Sequence, residues 1–145
     1  GELFAAFKQG VAKQIDQEDY ETHYNLGIAY KEMGLVDESI AEFQVAAKNP
    51  DRARFTECCS MLGTCFMDKG LPAIAATWYR KALSVANLSD ENAMGLRYDL
   101  ALSLEQAGEG AEAFKLFQDV YGLDSTYRDV SQKVKDMQKA AKAGK

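Results

Sequence analysis

Apolar residues recur along this chain every three or four positions, in blocks separated by glycine, proline and short polar links. Between Glu21 and Pro50, His23, Leu26, Gly27 and Tyr30 share one helical face, and Ile40, Phe43, Ala46 and Ala47 share another. Gly34 stands between the two blocks, where a left-handed residue would end the first helix. The stretch therefore predicts two amphipathic helices joined by a tight turn. Such a hairpin cannot bury both stripes alone and needs a similar neighbour. The chain supplies two. Cys59, Leu62, Gly63 and Phe66 precede a turn at Gly70, and Ile74, Ala75, Trp78, Tyr79, Ala82 and Leu83 follow it. Arg97, Leu100, Ala101 and Leu104 precede Gly108, and Phe114, Phe117 and Val120 follow.

Local signals place the ends. Asp19, Asp51 and Ser89 are N-cap candidates. Pro72 suits the first turn of a helix, where its missing N–H costs nothing. The second helix should start near Asp37 and end by Asn49–Pro50, because proline disfavours helix in the residue before it. Ahead of the hairpins, Phe4, Phe7, Val11 and Ile15, with Leu3 beside them, predict a leading helix over 2–15 that packs on the first hairpin. An acidic linker, Asp16 to Asp19, follows it. Behind the hairpins, Tyr127, Val130, Val134 and Met137 predict a last helix from Ser125 or Thr126. Its apolar face would cover the open edge of the array while its lysines face water.

The three hairpins keep register. Gly27, Gly63 and Ala101 occupy one place, and Gly34, Gly70 and Gly108 each follow seven residues later. Ser39, Ala75 and Ala113 follow at twelve residues, Phe43, Tyr79 and Phe117 at sixteen, and Ala46, Ala82 and Val120 at nineteen. This is an internal repeat. Its small residues allow close helix approach, and its aromatics fill the layer that results.

The pattern resembles the tetratricopeptide repeat, whose signature is Trp-x2-Leu-Gly-x2-Tyr, then Ala-x3-Phe and a terminal proline. His23, Leu26, Gly27, Tyr30, Ser39, Phe43 and Pro50 form the closest copy, with His23, Cys59 and Arg97 in the tryptophan place. The resemblance covers 20–125 and is to bacterial members in the stretches ETHYNLGIAYKEMG and GLRYDLALSLEQAG. It implies an all-α fold, a right-handed α-solenoid of three helix hairpins with an N-terminal helix and a C-terminal capping helix. The domain organisation it implies is one unit over 1–145: leading helix 2–15, repeats 20–53, 56–89 and 94–125, and capping helix 126–142.

Composition narrows the function. With 17 Lys and Arg against 22 Asp and Glu, the net charge is −5, and the six cations of 128–145 leave the body more acidic still. An acidic body repels nucleic acid and anionic membrane, and no apolar run approaches the roughly 20 residues of a membrane span. No signal-peptide pattern opens the chain. Three clustered cysteines do not resemble a disulfide framework, which points to a reducing, cytoplasmic setting. The chain begins with Gly rather than Met, as an excised piece of a longer protein would.

Catalytic and metal readings find little support. His23, the sole histidine, sits at a packing place, and general acid–base work needs a partner in reach. Cys58 and Cys65 are about 10 Å apart along a helix, too far to share a zinc ion, and there is no second ligand pair. The cysteines are expected to be small buried hydrophobes, with Cys58 partly exposed and oxidisable. No phosphate loop, nucleophile elbow or HExxH pattern is present. The expectation is no catalytic residue, no metal and no cofactor.

In proteins resembling this family, the first helices of the hairpins line a concave groove that holds a peptide or helix of a partner. The places matching that groove are Glu21, Tyr24, Asn25, Ile28, Lys31 and Glu32 in the first repeat. The second offers Glu57, Ser60, Met61, Thr64, Met67 and Asp68, and the third Tyr98, Asp99, Leu102, Glu105 and Gln106. Some members grip a C-terminal carboxylate with basic groove residues; here those places hold Tyr24, Ile28, Met61, Gly95 and Asp99, and none is basic. An acidic, Tyr- and Met-lined groove predicts a basic or amphipathic partner segment. The expected function is a non-catalytic interaction module, an adaptor or scaffold. The alternatives are a secretion chaperone holding an unfolded substrate, or a regulatory domain of a larger enzyme. The lysines of 133–145 invite weak self-association, with that helix lying in another copy's acidic groove.

Overall fold

The computed structural model describes residues 1–14 and 19–144, and among these the chain forms eight helices and no strand. They are α1 (Glu2–Gln14), α2 (Tyr20–Glu32), α3 (Val36–Ala46), α4 (Phe55–Asp68), α5 (Pro72–Leu83), α6 (Asp90–Gln106), α7 (Gly110–Leu123) and α8 (Val130–Ala143). Helices α2 to α7 pair as three hairpins, α2 with α3, α4 with α5 and α6 with α7, and each hairpin stacks on the next. The solenoid is thus built by sequence neighbours alone.

The hairpin turns share one chemistry. Gly34, Gly70 and Gly108 have φ of 78°, 74° and 85°, a region an L side chain enters only at a cost. At each turn two N–H groups fold back on the preceding helix. Gly34 N–H donates to Lys31 O, and Leu35 N–H to Tyr30 O at 2.9 Å; Gly70 with Leu71 and Gly108 with Glu109 repeat this. The helix thereby satisfies its orphan carbonyls and stops. Asp19 caps α2 by accepting from Thr22 N–H, and Ser89 caps α6 by accepting from Asn92 N–H.

Small residues and aromatics make the core. A Cβ at Gly27 would lie 2.7 Å from the Phe43 ring, and one at Gly63 would lie 2.5 Å from the Tyr79 ring. Each ring fills the space that its glycine leaves empty. Ser39 Oγ donates to Gly27 O at 2.7 Å, which lets a polar residue replace alanine at a fully buried crossing. Phe117 fills the third layer beside Ala101, both fully buried.

The ends follow expectation with two exceptions. α3 runs from Val36 to Ala46, ending before Asn49–Pro50, and α6 begins at Asp90, directly after its Ser89 cap. α4 begins at Phe55 with Arg54 at its N-cap, not Asp51. α8 begins at Val130 rather than Ser125 or Thr126, because Asp124 draws Thr126 N–H and Oγ1 onto its own carboxylate and makes a turn there. From Val130 onward the capping role holds: Val130 and Val134 are buried on the third hairpin, with Met137 packed beside them. The leading helix is a poorer lid. Phe4 meets Tyr30 edge-on and Lys8 reaches Glu38, while Leu3 and Phe7 stay exposed. Val11 as a packing side chain, Ile15 and the linker at 16–18 lie outside the described residues.

Candidate binding cleft

The first helices α2, α4 and α6 stand side by side and open a cleft of about 390 Å³. It brings together five of the groove residues expected from sequence: Tyr24, Glu57, Ser60, Met61 and Asp99. Gly95, one of the clamp places named from sequence, lines it too, and sequence reading missed Thr56 and the rest of its wall. Glu91 and Asn92 come from the first turn of α6, with Leu96 one turn later, and Tyr127 and Arg128 come from the turn before α8.

The other expected groove residues stand elsewhere. Tyr98 is a correction. It is buried, 5% exposed, with its ring edge-on to both Phe117 and Tyr127 and its hydroxyl donating to Asp129. Burial, and then that hydrogen bond, raise its hydroxyl pKa above the ordinary value. The turn before α8 covers it, so it offers nothing to a partner. Ile28, Met67 and Leu102 pack against the core clusters, and Thr64 bonds the Tyr79 hydroxyl at 3.2 Å. Asn25, Glu32 and Gln106 are exposed and away from the cleft.

The groove's negative charge is largely answered within the chain. Arg54 Nε donates to both carboxylate oxygens of Glu21, at 2.9 and 2.8 Å, and its Nη1 donates to Glu57 at 3.3 Å. Lys31 stands 3.8 Å from Asp68, Arg128 Nη1 donates to Asp99 at 3.5 Å, and Lys133 donates to Glu105 at 2.8 Å. Of the six acidic groove residues, Glu32 alone lacks an ion pair among the described residues. Burial raises the Asp99 carboxyl above the usual range, and Arg128 offsets this only in part. The electrostatic invitation is therefore narrower than a residue count suggests. It concentrates at the cleft, where Arg54 holds Glu57 and Arg128 holds Asp99 while Glu91 has no ion pair among the described residues.

Two arginines shape the cleft's ends. Arg54 lies over the Tyr24 ring, 4.7 Å from its centroid, and Arg128 lies over Tyr98 at 5.0 Å and Tyr127 at 5.2 Å. Both come from links with left-handed backbone, φ 58° and 42°. Each arginine stands thirty residues after the tyrosine it covers, a recurrence visible in the chain.

The residues weighed for chemistry lie within the packed body of the chain. His23 is half-buried between α2 and α3, with Nδ1 2.5 Å from a Glu42 carboxylate oxygen. Cys58 is fully buried rather than partly exposed, because it faces the first hairpin from α4. Cys59 and Cys65 are buried too, and burial pushes the Cys58 thiol up to about 12 and the Cys59 thiol to about 11. Thiols held protonated are poor nucleophiles and poor metal ligands. Among the described residues no three His, Cys, Asp or Glu side chains converge on a metal-sized site, and no helix is long and apolar enough to cross a membrane. Lys133 is spent on Glu105 of its own chain, so self-association through α8 would rest on the exposed Lys135, Lys139 and Lys142.

No protein-family model matches the chain, and no curated protein matches it. Solved structures do. The first TPR domain of Spaghetti (RPAP3), bound to the HSP90 peptide SRMEEVD, superposes with a TM-score of 0.71 at 12% identity, over 88% of this chain and 96% of that one. MamA superposes at 0.75 with 17% identity, over 94% of this chain and 75% of its own. The Yersinia enterocolitica type III secretion chaperone SycD, in complex with a peptide of the translocator YopD, gives 0.66 at 21% identity, over 90% and 98%. Three glycine-turned hairpins stacked in sequence order, with these likenesses end to end, give the chain the tetratricopeptide-type helical-repeat fold.

Proposed function

We propose that this chain is a non-catalytic interaction module that holds an extended or helical segment of a partner protein in the cleft between α2, α4 and α6. One observation carries the reading. A cleft of about 390 Å³, within the size range of binding pockets, sets the half-buried Tyr24 and Met61 beside the carboxylates of Glu57, Glu91 and Asp99. That mixture suits a segment both basic and apolar, with the carboxylates steering its approach. Of the expected groove residues, Tyr24, Glu57, Ser60, Met61 and Asp99 belong to this site. The resemblance of two stretches to bacterial proteins, and the three unpaired cysteines, support a bacterial, cytoplasmic source as part of the same reading.

Peptides selected from a random displayed library against the intact chain provide the test, with affinities measured by fluorescence anisotropy. Binders should combine Lys or Arg with apolar residues, and the exposed pair Glu57→Lys with Glu91→Lys should weaken them at least about tenfold, or 1.4 kcal/mol. A selection without binders, or binders indifferent to the charge reversal, refutes the reading.

A second reading is a secretion chaperone. Its support is the near end-to-end likeness to SycD, whose structure was determined with a peptide of its translocator. A secreted substrate kept soluble on co-expression with this chain, and aggregating without it, would favour this reading over an adaptor.

A further inference from the structure

The three first helices carry one arrangement twice and omit it once. Tyr24 and Tyr98 stand three residues before the small residues Gly27 and Ala101 of their helices, and Arg54 and Arg128 cover them from the following links. Each arginine also meets carboxylates, Glu21 and Glu57 for Arg54 and Asp99 for Arg128. The corresponding places in the middle repeat are Ser60, three residues before Gly63, and Asp90, thirty residues after Ser60. By this count Ser60, a small hydroxyl, takes the ring's place, and Asp90, an acid at the start of α6 beside the cleft wall rather than in it, takes the cation's. The cleft opens at this station, walled by Ser60 and flanked by both cis arrangements, through Tyr24 on one side and Tyr127 with Arg128 on the other.

What lines the station is what surrounds the two arginines: carboxylates and aromatic faces. Glu57, Glu91 and Asp99 face it; Arg54 answers Glu57 and Arg128 answers Asp99, and Glu91 has no ion pair among the described residues. We propose that the middle station takes an arginine side chain of the partner polypeptide, supplying in trans the cation that the chain supplies in cis on either side. The proposal deepens the peptide-binding reading and rests on it. Arginine fits better than lysine because its planar, weakly hydrated guanidinium can stack on a ring while its fork engages carboxylates.

The probes are two fluorescein-labelled alanine–leucine peptides, identical except for one central arginine or lysine, titrated against the intact chain. The arginine peptide should bind at least about tenfold more tightly. Installing the missing pair, Ser60→Tyr with Asp90→Arg, should fill the station and weaken the arginine peptide by a similar factor, with the helical circular dichroism unchanged. If that variant does not fold, Glu91→Lys on the exposed first turn of α6 replaces it, with the same expected loss for the arginine peptide. Equal affinities for the two peptides, both lost on Glu57→Lys with Glu91→Lys, overturn the arginine assignment and leave peptide binding standing. Unchanged arginine-peptide affinity in a folded Ser60→Tyr, Asp90→Arg variant also overturns it, as does binding of neither probe. In that last case the library selection decides the broader reading by itself.

Discussion

Replacing Gly63 with alanine puts a methyl group where the Tyr79 ring already sits. The added Cβ would lie 2.5, 2.6 and 2.8 Å from three atoms of that ring. Two effects of opposite sign compete. Alanine is favoured over glycine inside a helix by about 1 kcal/mol, whereas forcing an extra carbon into a packed core costs about 1–3 kcal/mol. Whether the ring can give way decides the sign. Tyr79 is 3% exposed, and its hydroxyl is bonded to Thr64 at 3.2 Å, so neither end of the ring is free to swing. The clash should win, with a net loss of about 1–2 kcal/mol. For a chain of this length that lowers Tm by roughly 3–8 °C. Urea unfolding followed by circular dichroism and by Trp78 fluorescence would measure it. In a Tyr79→Leu background the obstacle is gone, and Gly63→Ala should become neutral or stabilising by up to about 1 kcal/mol. A Gly63→Ala variant more stable than the wild type, or equally destabilised in both backgrounds, would refute the close-approach account of the repeat.

Phe117→Ala should cost about 3–5 kcal/mol, because the ring is fully buried between hairpin and cap and its removal leaves a cavity; urea unfolding would show a midpoint shift well beyond that of Gly63→Ala. The three buried cysteines should resist Ellman's reagent in the native state at mildly alkaline pH and react at once in guanidinium chloride. Their linkage has a definite sign. Folding raises the Cys58 thiol from 9.0 to about 12 and Cys59 to about 11. Stability from keeping them neutral is fully present below pH 9.0 and is lost as pH climbs through the folded values. Tyr79, raised to about 12 by burial, acts in the same direction. The urea midpoint should therefore hold up to pH 9 and fall above it, and a midpoint rising with pH there would contradict the burial of these groups.

Much of the fold was legible because its devices are local. Each hairpin turn needs a residue with positive φ, and glycine seven residues after the crossing position announces it. The aromatic of each second helix is found sixteen residues on, since it must fill the gap left by the small residue. The candidate site was legible only in part. Assigning groove residues by helical face picked out Tyr24, Glu57, Ser60, Met61 and Asp99, which line the cleft. The same rule misplaced Tyr98, which shares Tyr24's register but lies beneath the turn that precedes α8.

The remaining difference is one of range. The chain by itself determined which positions are small, which are aromatic and where each helix must stop, because these follow from backbone geometry and from spacing within a hairpin. Tertiary structure decided which charges survive at the surface. Arg54 reaches Glu21 across 33 residues, Arg128 reaches Asp99 across 29, and Lys133 reaches Glu105 across 28. Side chains so far apart in sequence share no periodic relation that a face-by-face reading can use. Only the stacking of one hairpin on the next brings them within hydrogen-bonding distance, and that stacking leaves Glu32 alone among the six acidic groove residues without an ion pair among the described residues.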